Sequence, residues 1–476
     1  MKETDLIIIG AGPGGYRAAE YAAKQGLKVT IFEGEDVGGT CLNVGCIPTK
    51  TYVHATSFDE ARQRMEQVVT QLRAGVETIL SHPNITLVRS RAQFLEDHTV
   101  CTVGSDSVAA GETFTAEHII IATGSETKWL PIEGRDDPRV VDSTGLLNRD
   151  TLPRRLCIIG AGVIGMEFAS AFSRFGSEVT VIEYLKECLP AIDSDIAKRL
   201  RKVMEKRGIT FHMQCAVKQI ADGEVTFENR KGQTESVCAD LVLMATGRKP
   251  RTDGLNLQAA GITLTPQGAI PVDDNFRVLG GGLTVEGGGR IDSALETDLI
   301  PPSTFNPPPN RAAANSSLFT LHSSLKKLYA IGDVNGRQML AHAAEMQAVH
   351  AVNHILGKPD NIHFDIMPAA IFTHPEAACV GPSEDQLRAA ATPYECRKAL
   401  WRANGKALAM NQSEGLLKLF VAEEGRILGC HAFGAHAADI VQQVSNLMCC
   451  NATIAQLADM IHIHPTLSEI LHDAAG

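Results

Sequence analysis

The sequence is poor in long apolar runs, in cysteine and in clustered basic residues. No uninterrupted apolar stretch approaches the roughly 18 residues that a membrane span requires. Its 12 cysteines are too few for a disulfide scaffold in a chain of 476 residues. The 44 basic residues are outnumbered by 55 acidic ones and are scattered along the chain. We therefore expect no membrane partner and no nucleic-acid partner, because nucleic-acid binders usually concentrate Lys and Arg on one surface.

A leader segment is not expected either. Met1 is followed within five residues by a strand-like apolar run, which predicts neither a signal peptide nor a transit peptide in this sequence. Most of the cysteines are then expected to be free thiols in a reducing compartment. We expect that compartment to be the bacterial cytoplasm, or the mitochondrial matrix if a transit peptide has been removed.

The sequence does contain an internal repeat. With 44% hydrophobic and 21% charged residues the composition is that of a globular protein, and the length is enough for roughly three domains. Residues 5–33 align without a gap to residues 155–183. Each copy passes from an apolar strand pattern through G-x-G-x-x-G into a helix pattern, then into a second strand that ends in Glu. This order predicts a strand–turn–helix–strand unit.

The three glycines of each copy have separate physical roles. The first permits a tight turn, the second lets the backbone approach a pyrophosphate, and the third lets helix and strand pack closely. One such motif can be a purely structural turn, but two complete copies predict two bound dinucleotides, with the phosphates at helix N-termini. In this order the glycines are Gly10, Gly12 and Gly15 in the first copy and Gly160, Gly162 and Gly165 in the second.

The glutamate that ends each copy indicates how a ribose is bound. Glu33 and Glu183 stand where a carboxylate accepts hydrogen bonds from a pair of ribose hydroxyls. Tyr184 and Leu185 follow Glu183 in place of arginine. The second site is therefore expected to prefer NAD over NADP, because the carboxylate would repel a 2′-phosphate.

Three later strand patterns end in a glycine or an aspartate. Residues 119–124 and 241–247 are buried-type strands that end in Ala-Thr-Gly, which is typical of strand ends that turn on glycine. The strand pattern at 328–333 ends instead in Asp333. An acceptor at the carboxyl end of a strand can hold a cofactor hydroxyl.

Two cysteines follow the first glycine motif, in the stretch G-G-T-C-L-N-V-G-C-I-P-T-K at 38–50. Cys41 and Cys46 can close a small disulfide loop beside the nucleotide-binding turn, and a helix start there would make a thiol reactive. Structural thiols and half of a metal site are the alternatives. A metal site needs further ligands at matching spacing, and none is evident.

This stretch resembles the class I pyridine nucleotide–disulfide oxidoreductases, and most closely the dihydrolipoamide dehydrogenases, the E3 component of 2-oxoacid dehydrogenase complexes. The likeness covers nearly the whole chain, although family members commonly carry Ser where Thr49 stands. The resemblance implies a redox-active Cys41–Cys46 disulfide, FAD as the first dinucleotide and NAD as the second. It also implies that Lys50 lies beside the flavin and pairs with Glu167.

The resemblance implies further cofactor contacts at turns, strand ends and the start of a later helix. Asp333 is expected to contact the ribityl chain, and residues 339–342 the flavin region. The implied cofactor-binding residues are Gly10, Gly12, Gly14, Gly15, Glu33, Gly39, Thr40, Cys41, Lys50, Ala92, Thr123, Gly124, Ser125, Gly160, Gly162, Val163, Ile164, Gly165, Glu167, Glu183, Val217, Gly247, Asp333, Met339, Ala341 and His342.

The fold class expected is α/β, with two Rossmann-like dinucleotide-binding domains, for FAD and NAD, and a C-terminal α+β interface domain. Residues 1–150 are assigned to the first part of the FAD domain and 151–272 to the NAD domain. Residues 273–365 are expected to return to the FAD or central domain, and 366–476 to form the interface domain. A Gly/Pro-rich insertion at about 278–327 departs from the family pattern and is predicted to be a mobile loop.

The run H-I-H-P-T-L-S-E at 462–469 resembles the segment that carries the catalytic base of the lipoamide enzymes. The resemblance implies that His464 is a general base held by Glu469 and supplied by the partner subunit, so that a homodimer is required. On the residues alone, Thr466 and Glu469 also have capping-box spacing. A purely structural role of Glu469 at a helix start therefore stays open.

The implied function is oxidation of protein-bound dihydrolipoamide with reduction of NAD⁺. The implied partners are a second copy of the chain and the lipoyl domains of 2-oxoacid dehydrogenase complexes or of the glycine-cleavage system. One alternative is an NAD(P)H-dependent reductase of another disulfide or of a metal ion. The other is a docking subunit with impaired turnover.

Two further pairs of residues were considered as possible ligands of a metal ion. Cys449 and Cys450 resemble the paired cysteines of mercuric ion reductases, but a helical pattern favours the interpretation that they are buried helix cysteines. His350 and His354 stand one helical turn apart without acidic or cysteine partners in the nearby sequence. No metal site is predicted.

Overall fold

The computed structural model describes residues 1–104, 110–280 and 327–476. Most of the predicted insertion, residues 281–326, lies outside the described residues, so its predicted mobility stays a prediction. The chain divides into two compact units. The first comprises Met1–Pro48, Glu66–Thr127 and Arg248–Ile362, and the second comprises Thr49–Met65, Lys128–Gly247 and His363–Gly476. The domain boundaries expected at 150, 272 and 365 stay predictions.

The described residues form both helices and strands. In chain order the helices are α1 Pro13–Lys24, α2 Gly39–Val44, α3 Cys46–His54, α4 Phe58–Leu80, α5 Ser143–Leu147, α6 Val163–Phe175, α7 Ser194–Lys206, α8 Ala341–Ile355, α9 Glu384–Ala389, α10 Gly405–Ala409, α11 Ala437–Cys449, α12 Ile454–Ala458 and α13 Glu469–Ala475. The strands are β1 Lys2–Ile9, β2 Val29–Phe32, β3 Ile85–Val88, β4 Ala92–Glu96, β5 Thr99–Thr102, β6 Thr113–Ile121, β7 Ser125–Thr127, β8 Val140–Val141, β9 Arg155–Ile159, β10 Glu178–Glu183, β11 Thr210–Met213, β12 Ala216–Ala221, β13 Glu224–Glu228, β14 Thr234–Cys238, β15 Leu241–Met244, β16 Arg248–Pro250, β17 Leu328–Ala330, β18 Ala369–Ile371, β19 Glu376–Val380, β20 Glu395–Leu400, β21 Leu416–Val421 and β22 Ile427–Gly434.

The first unit is built on a mostly parallel sheet. Its strand order is β3-β2-β1-β6-β5-β4, with β17 also pairing with β6. Residues 6–9 of β1 and 119–121 of β6 are fully or almost fully buried. Such continuous apolar runs are typical of parallel strands, which are covered on both faces. In the same unit, β7 and β16 form a two-stranded antiparallel ribbon.

The second unit contains three sheets. The second copy of the repeat lies in a parallel sheet of order β11-β10-β9-β15-β8, and β12-β13-β14 form a small antiparallel sheet. The C-terminal part is an antiparallel sheet of order β18-β19-β22-β21-β20, against which α11 packs. Buried apolar residues of β21, β22, α11 and α13 form one core in this part. The predicted fold class, two Rossmann-like domains and a C-terminal α+β domain, is confirmed.

Among the helices that the structure describes, none is both long enough and apolar enough to cross a membrane.

Candidate active site

The first glycine turn lies between β1 and α1, in the first unit. Gly10 has φ +102°, and a Cβ added there would lie 2.5 Å from the carbonyl oxygen of Ala122. A Cβ on Gly15 would lie 1.8 Å from the Gly10 carbonyl oxygen. Neither position can hold a larger residue, because backbone atoms that cannot move away occupy the space. The helix N-terminus is therefore held close to the end of β1.

Gly12 and its counterpart Gly162 differ from these glycines. Gly12 has φ −72° and Gly162 φ −75°, which any residue can adopt. A Cβ on Gly12 would come no nearer than 3.9 Å to a described atom, and a Cβ on Gly162 would meet none within 4 Å. Neither backbone conformation nor packing requires glycine here. A pyrophosphate that approached the backbone at the helix N-terminus would require it.

The glutamates predicted to bind ribose are held by the same two turns. In the first unit, Glu33 accepts hydrogen bonds from the N–H groups of Ala11 (2.8 Å) and Glu35 (2.9 Å), and burial raises its pKa. In the second unit, Glu183 accepts from the N–H groups of Ala161 (2.6 Å) and Leu185 (2.7 Å). Both carboxylates are thereby oriented beside a glycine turn.

The second turn repeats this geometry within its own unit. Gly160 has φ +107°, and a Cβ on Gly165 would lie 2.0 Å from the Gly160 carbonyl oxygen. Val163 and Ile164 begin α6 directly after Gly162. The predicted residues Val217 and Gly247 lie on β12 and just after β15, and the Gly247 carbonyl accepts the N–H of Lys128 at 3.0 Å.

Three side chains meet at the carboxyl end of the first unit's sheet. Ser125 donates a hydrogen bond to Asp333 (Oγ–Oδ2, 2.5 Å) and accepts one from Arg248 (Nε–Oγ, 2.6 Å). Burial raises the pKa of Asp333, although the hydrogen bond from Ser125 and the charge of Arg248 oppose the shift. Sequence reasoning selected Ser125 and Asp333 but missed Arg248, which follows the second Ala-Thr-Gly.

The other predicted residues of this unit lie around the same turns. Thr123 donates to the carbonyl of Arg251 at 2.6 Å, and Gly124 accepts the Arg251 N–H at 3.0 Å. Gly14 and Ala92 are buried, whereas Gly39, Thr40 and Met339 are partly exposed. Ala341 is the first residue of α8, and the side chain of His342 is exposed.

The two cysteines lie on consecutive short helices. Cys41 is on α2 and is partly buried, whereas Cys46 is the first residue of α3 and is exposed. Nearby in the same unit, the Tyr16 hydroxyl donates to Glu345 at 3.2 Å. Burial, then Glu345 and then Cys41 raise the pKa of Tyr16, which places its hydroxyl in the electrostatic neighbourhood of Cys41. Sequence reasoning missed Tyr16. The sequence feature that could have indicated Tyr16 is an aromatic residue directly after Gly15, at a position where the second copy of the repeat has Met166.

Lys50 and Glu167 form an ion pair in the second unit. The Lys50 ammonium lies 2.8 Å from each carboxylate oxygen of Glu167, whose side chain is almost fully buried. The Lys50 ammonium also lies 4.7 Å from the centroid of the Phe372 ring. Sequence reasoning anticipated the ion pair but not Phe372, which is more than 200 residues from Glu167.

His464 and Glu469 also meet. His464 Nδ1 lies 2.9 Å from Glu469 Oε1, and Glu469 Oε2 accepts the N–H of Thr466 at 2.8 Å. These two bonds, the backbone one first, lower the pKa of Glu469. The Thr466 hydroxyl donates to the Ile463 carbonyl, so Thr466 does not complete a reciprocal capping box. Glu469 contacts both the imidazole and the backbone, and the His464 side chain is 79% exposed.

The interpretation of Cys449 and Cys450 as buried helix cysteines is wrong. Cys449 is the last residue of α11, Cys450 follows it, and both side chains are exposed. The predicted helix is present, but these two residues stand at its end, beyond its buried face. His350 does have an acidic partner, Asp360, at 2.8 Å, and His354 contacts the Tyr329 hydroxyl at 2.9 Å. In the described part of the chain no three metal-ligating side chains are grouped.

Thiol accessibility in the native protein tests the exposure of Cys449 and Cys450. We expect a maleimide to label Cys449 and Cys450 readily, and labelling of Cys449 to accelerate with rising pH, since burial, Cys450 and Asp365 raise its pKa. Cys157 and Cys379 should react only after unfolding, because burial raises the pKa of each to about 12. Peptide mapping by mass spectrometry distinguishes the sites. Protection of the 449–450 pair in the native protein would contradict its exposure.

Comparison with known proteins identifies the class to which this geometry belongs. Residues 4–283 match the model of the pyridine nucleotide-disulphide oxidoreductases, and residues 367–475 match the dimerisation domain of that family. The chain belongs to this family. It is accordingly an FAD-containing, NAD(P)-dependent oxidoreductase, and its dimerisation domain supports a homodimer.

Individual proteins similar to this chain include dihydrolipoyl dehydrogenases and a flavoprotein disulfide reductase. The chain is 33% identical to dihydrolipoyl dehydrogenase 1, mitochondrial, of Arabidopsis thaliana over 99% of this chain and 90% of the relative. It is 34% identical to dihydrolipoyl dehydrogenase 3 of Pseudomonas putida over 100% and 98% of the two chains. Among solved structures, the HOCl-induced flavoprotein disulfide reductase RclA of Escherichia coli, as a Cu(II) complex, matches with a TM-score of 0.84 and 29% identity. That match covers 100% of this chain and 99% of the other.

Proposed function

We propose that the protein oxidises dihydrolipoamide carried on lipoyl domains to lipoamide, with reduction of NAD⁺. The His464–Glu469 pair carries this proposal. Because Glu469 holds the Nδ1 side of the imidazole, Nε2 is the nitrogen placed to accept a proton. An exposed base on the dimerisation domain suits the deprotonation of a thiol substrate bound by a second subunit.

The chain's own residues then carry the thiol chemistry. His464 removes a proton from one substrate thiol, and the resulting thiolate attacks Cys41 of the Cys41–Cys46 disulfide, which releases Cys46 as a thiolate. Deprotonation of the second substrate thiol lets it displace Cys41, so lipoamide closes and both cysteines are left reduced. Bound FAD and NAD⁺ supply the hydride chemistry that reoxidises the pair.

In the proposed function, each of the two glycine turns binds one cofactor. The turn at Gly10–Gly15, with Glu33, would hold the FAD pyrophosphate and ribose, and Asp333 would accept from its sugar chain. The turn at Gly160–Gly165, with Glu183, would hold NAD. Glu183 is 9% exposed and fixed by two N–H groups, so it cannot turn away from a 2′-phosphate. NAD is therefore preferred to NADP.

A second candidate is an NAD(P)H-dependent reductase of another disulfide or of a metal ion. The likeness to RclA favours it, because that structure belongs to a disulfide reductase and contains Cu(II). The proposed partners are a second copy of the chain and lipoyl domains. The proposed location is the bacterial cytoplasm or the mitochondrial matrix.

A comparison of substrates separates the two candidates. Purified protein with its FAD content quantified would be assayed for NAD⁺ reduction by dihydrolipoamide, and for NADH and NADPH oxidation with glutathione disulfide and with Cu²⁺. We expect dihydrolipoamide with NAD⁺ to be the fastest pair. His464→Gln should slow that reaction about a hundredfold, the scale of a lost general base.

His462→Gln is the matched control, because His462 is a partly exposed histidine two residues away whose Nδ1 contacts the Met460 carbonyl instead of a carboxylate. It should retain most of the activity. Faster turnover with glutathione disulfide or Cu²⁺ than with dihydrolipoamide, or equal losses in the two histidine variants, would reject the proposed substrate.

A further inference from the structure

Lys50 has two partners of different chemistry in the second unit. The carboxylate of Glu167 neutralises its charge, with both oxygens 2.8 Å from the ammonium nitrogen. The face of Phe372 attracts the same ammonium without neutralising it, at 4.7 Å from the ring centroid. The Lys50 side chain is 27% exposed and that of Glu167 is 4% exposed, so solvent reaches the lysine more readily than its counter-ion.

The backbone of Phe372 is fixed to the same ion pair. Its N–H donates to Glu167 Oε1 at 2.9 Å, so one residue contacts the carboxylate through its backbone and the ammonium through its ring. Two residues later, the His374 N–H donates to Ser170 Oγ at 2.9 Å. Glu167 and Ser170 lie one turn apart on α6, so the segment that follows β18 is attached to this helix at two successive points. The backbone that carries the Phe372 ring is therefore held at a defined position.

This arrangement limits where the ammonium can go. A lysine side chain has a flexible stem of four carbons. A carboxylate alone therefore leaves the ammonium free to move around the two carboxylate oxygens. A second attraction from a fixed ring restricts that movement. The restriction is achieved without a second negative charge, which would cancel the field of the lysine at its exposed side.

We propose that Phe372 is a positioning residue, which holds the Lys50 ammonium between its ring and Glu167 and so fixes the direction of the positive charge that Lys50 presents to the flavin. The proposal rests on the proposed function and on the expectation, implied by the family resemblance, that Lys50 lies beside its FAD. It does not depend on which disulfide or dithiol is the substrate.

The test uses the FAD-loaded full-length protein and readouts that need no thiol substrate. Phe372→Leu should slow reduction of the bound flavin by NADH roughly fivefold, the scale of one lost cation–π contact. It should also move the flavin midpoint potential and shift the visible absorption band of FAD. Phe372→Tyr keeps the aromatic face and should restore all three values.

Phe175→Leu is the matched control. Phe175 ends α6 and packs its partly exposed ring on Tyr52, Phe58 and Phe172, which carry no ammonium. This variant should leave the flavin potential and spectrum unchanged. Equal flavin properties in Phe372→Leu and Phe175→Leu, or equal losses in Phe372→Leu and Phe372→Tyr, would overturn the proposal.

A second kind of variant keeps the test valid if Phe372→Leu fails to fold. Phenylalanines with one, two and three ring fluorines at position 372 keep the shape of the side chain while they weaken the negative face of the ring. The potential and the reduction rate should change stepwise with the number of fluorines. No change across the series would overturn the proposal. If the unaltered protein does not oxidise dihydrolipoamide, only the proposed substrate is rejected, and the proposed role of Phe372 is not.

Discussion

Cys46→Ser is expected to lower NAD⁺ reduction by dihydrolipoamide by roughly a thousandfold or more, because a serine hydroxyl cannot form the disulfide through which the electrons pass. Cys46 is exposed at the first position of α3, and the glycine turns and Asp333 lie elsewhere in the sequence. The amount of bound FAD should therefore not change. Oxidation of NADH by a small artificial electron acceptor, which needs no thiol, should persist.

The measurement is a steady-state assay beside the ratio of flavin to protein. Cys238→Ser is the matched control, because Cys238 is also exposed but ends β14 in the second unit and is not part of the cysteine motif. It should behave as the unaltered protein does. Full dihydrolipoamide activity in the Cys46→Ser variant would exclude the thiol–disulfide scheme, whatever the cofactor content.

Lys418→Met is expected to lower the free energy of unfolding by about 3–5 kcal/mol, the usual cost of removing one partner from a buried ion pair. Lys418 is 1% exposed on β21. Its ammonium lies 2.7 Å from both oxygens of Asp193 and 2.5 Å from Glu384 Oε2. Burial alone would lower the pKa of Lys418, but the bonds to Asp193 and Glu384 outweigh burial and raise it. Methionine fills the volume and leaves Asp193 buried without its counter-ion.

Urea denaturation of the FAD-loaded protein, followed by the fluorescence of the fully buried Trp401, measures the loss. Lys398→Met is the control, since Lys398 lies directly opposite Lys418 on β20 but is exposed, and its loss should change little. Asp193→Asn added to Lys418→Met should recover part of the stability. A loss below about 1 kcal/mol would show that the network is not a stabilising ion pair.

The pH dependence of that loss has a definite sign. Although burial opposes the shift, the bond from Lys418 and further hydrogen bonds lower the pKa of Glu384 from 4.5 to about 2. A carboxylate with a depressed pKa in the folded state contributes stability above its unfolded pKa and loses it as the pH falls. The difference between the unaltered protein and Lys418→Met should therefore shrink as the pH falls from 4.5 towards 2.

The sequence alone determined those features whose physical cause is local. Gly10 and Gly15 are required by a turn only a few residues long, and the second copy, 150 residues later, predicted a second site of the same kind. Glu33 and Glu183 follow their turns at a fixed distance that one helix and one strand set. Cys41 and Cys46, and His464 with Glu469, are close along the chain, so their spacing already indicated that they can act together.

The tertiary structure alone decided contacts between segments that are far apart in sequence. Phe372 contacts Lys50, Arg248 contacts Ser125, and Lys418 is enclosed by Asp193 and Glu384. No periodicity or motif records such pairs, because they follow from how separate strands and helices pack. The exposure of Cys449 and Cys450 differs from the sequence-based prediction for the same reason. A helical pattern specifies which residues share a face, but only packing decides where along its length the helix passes from the core into solvent.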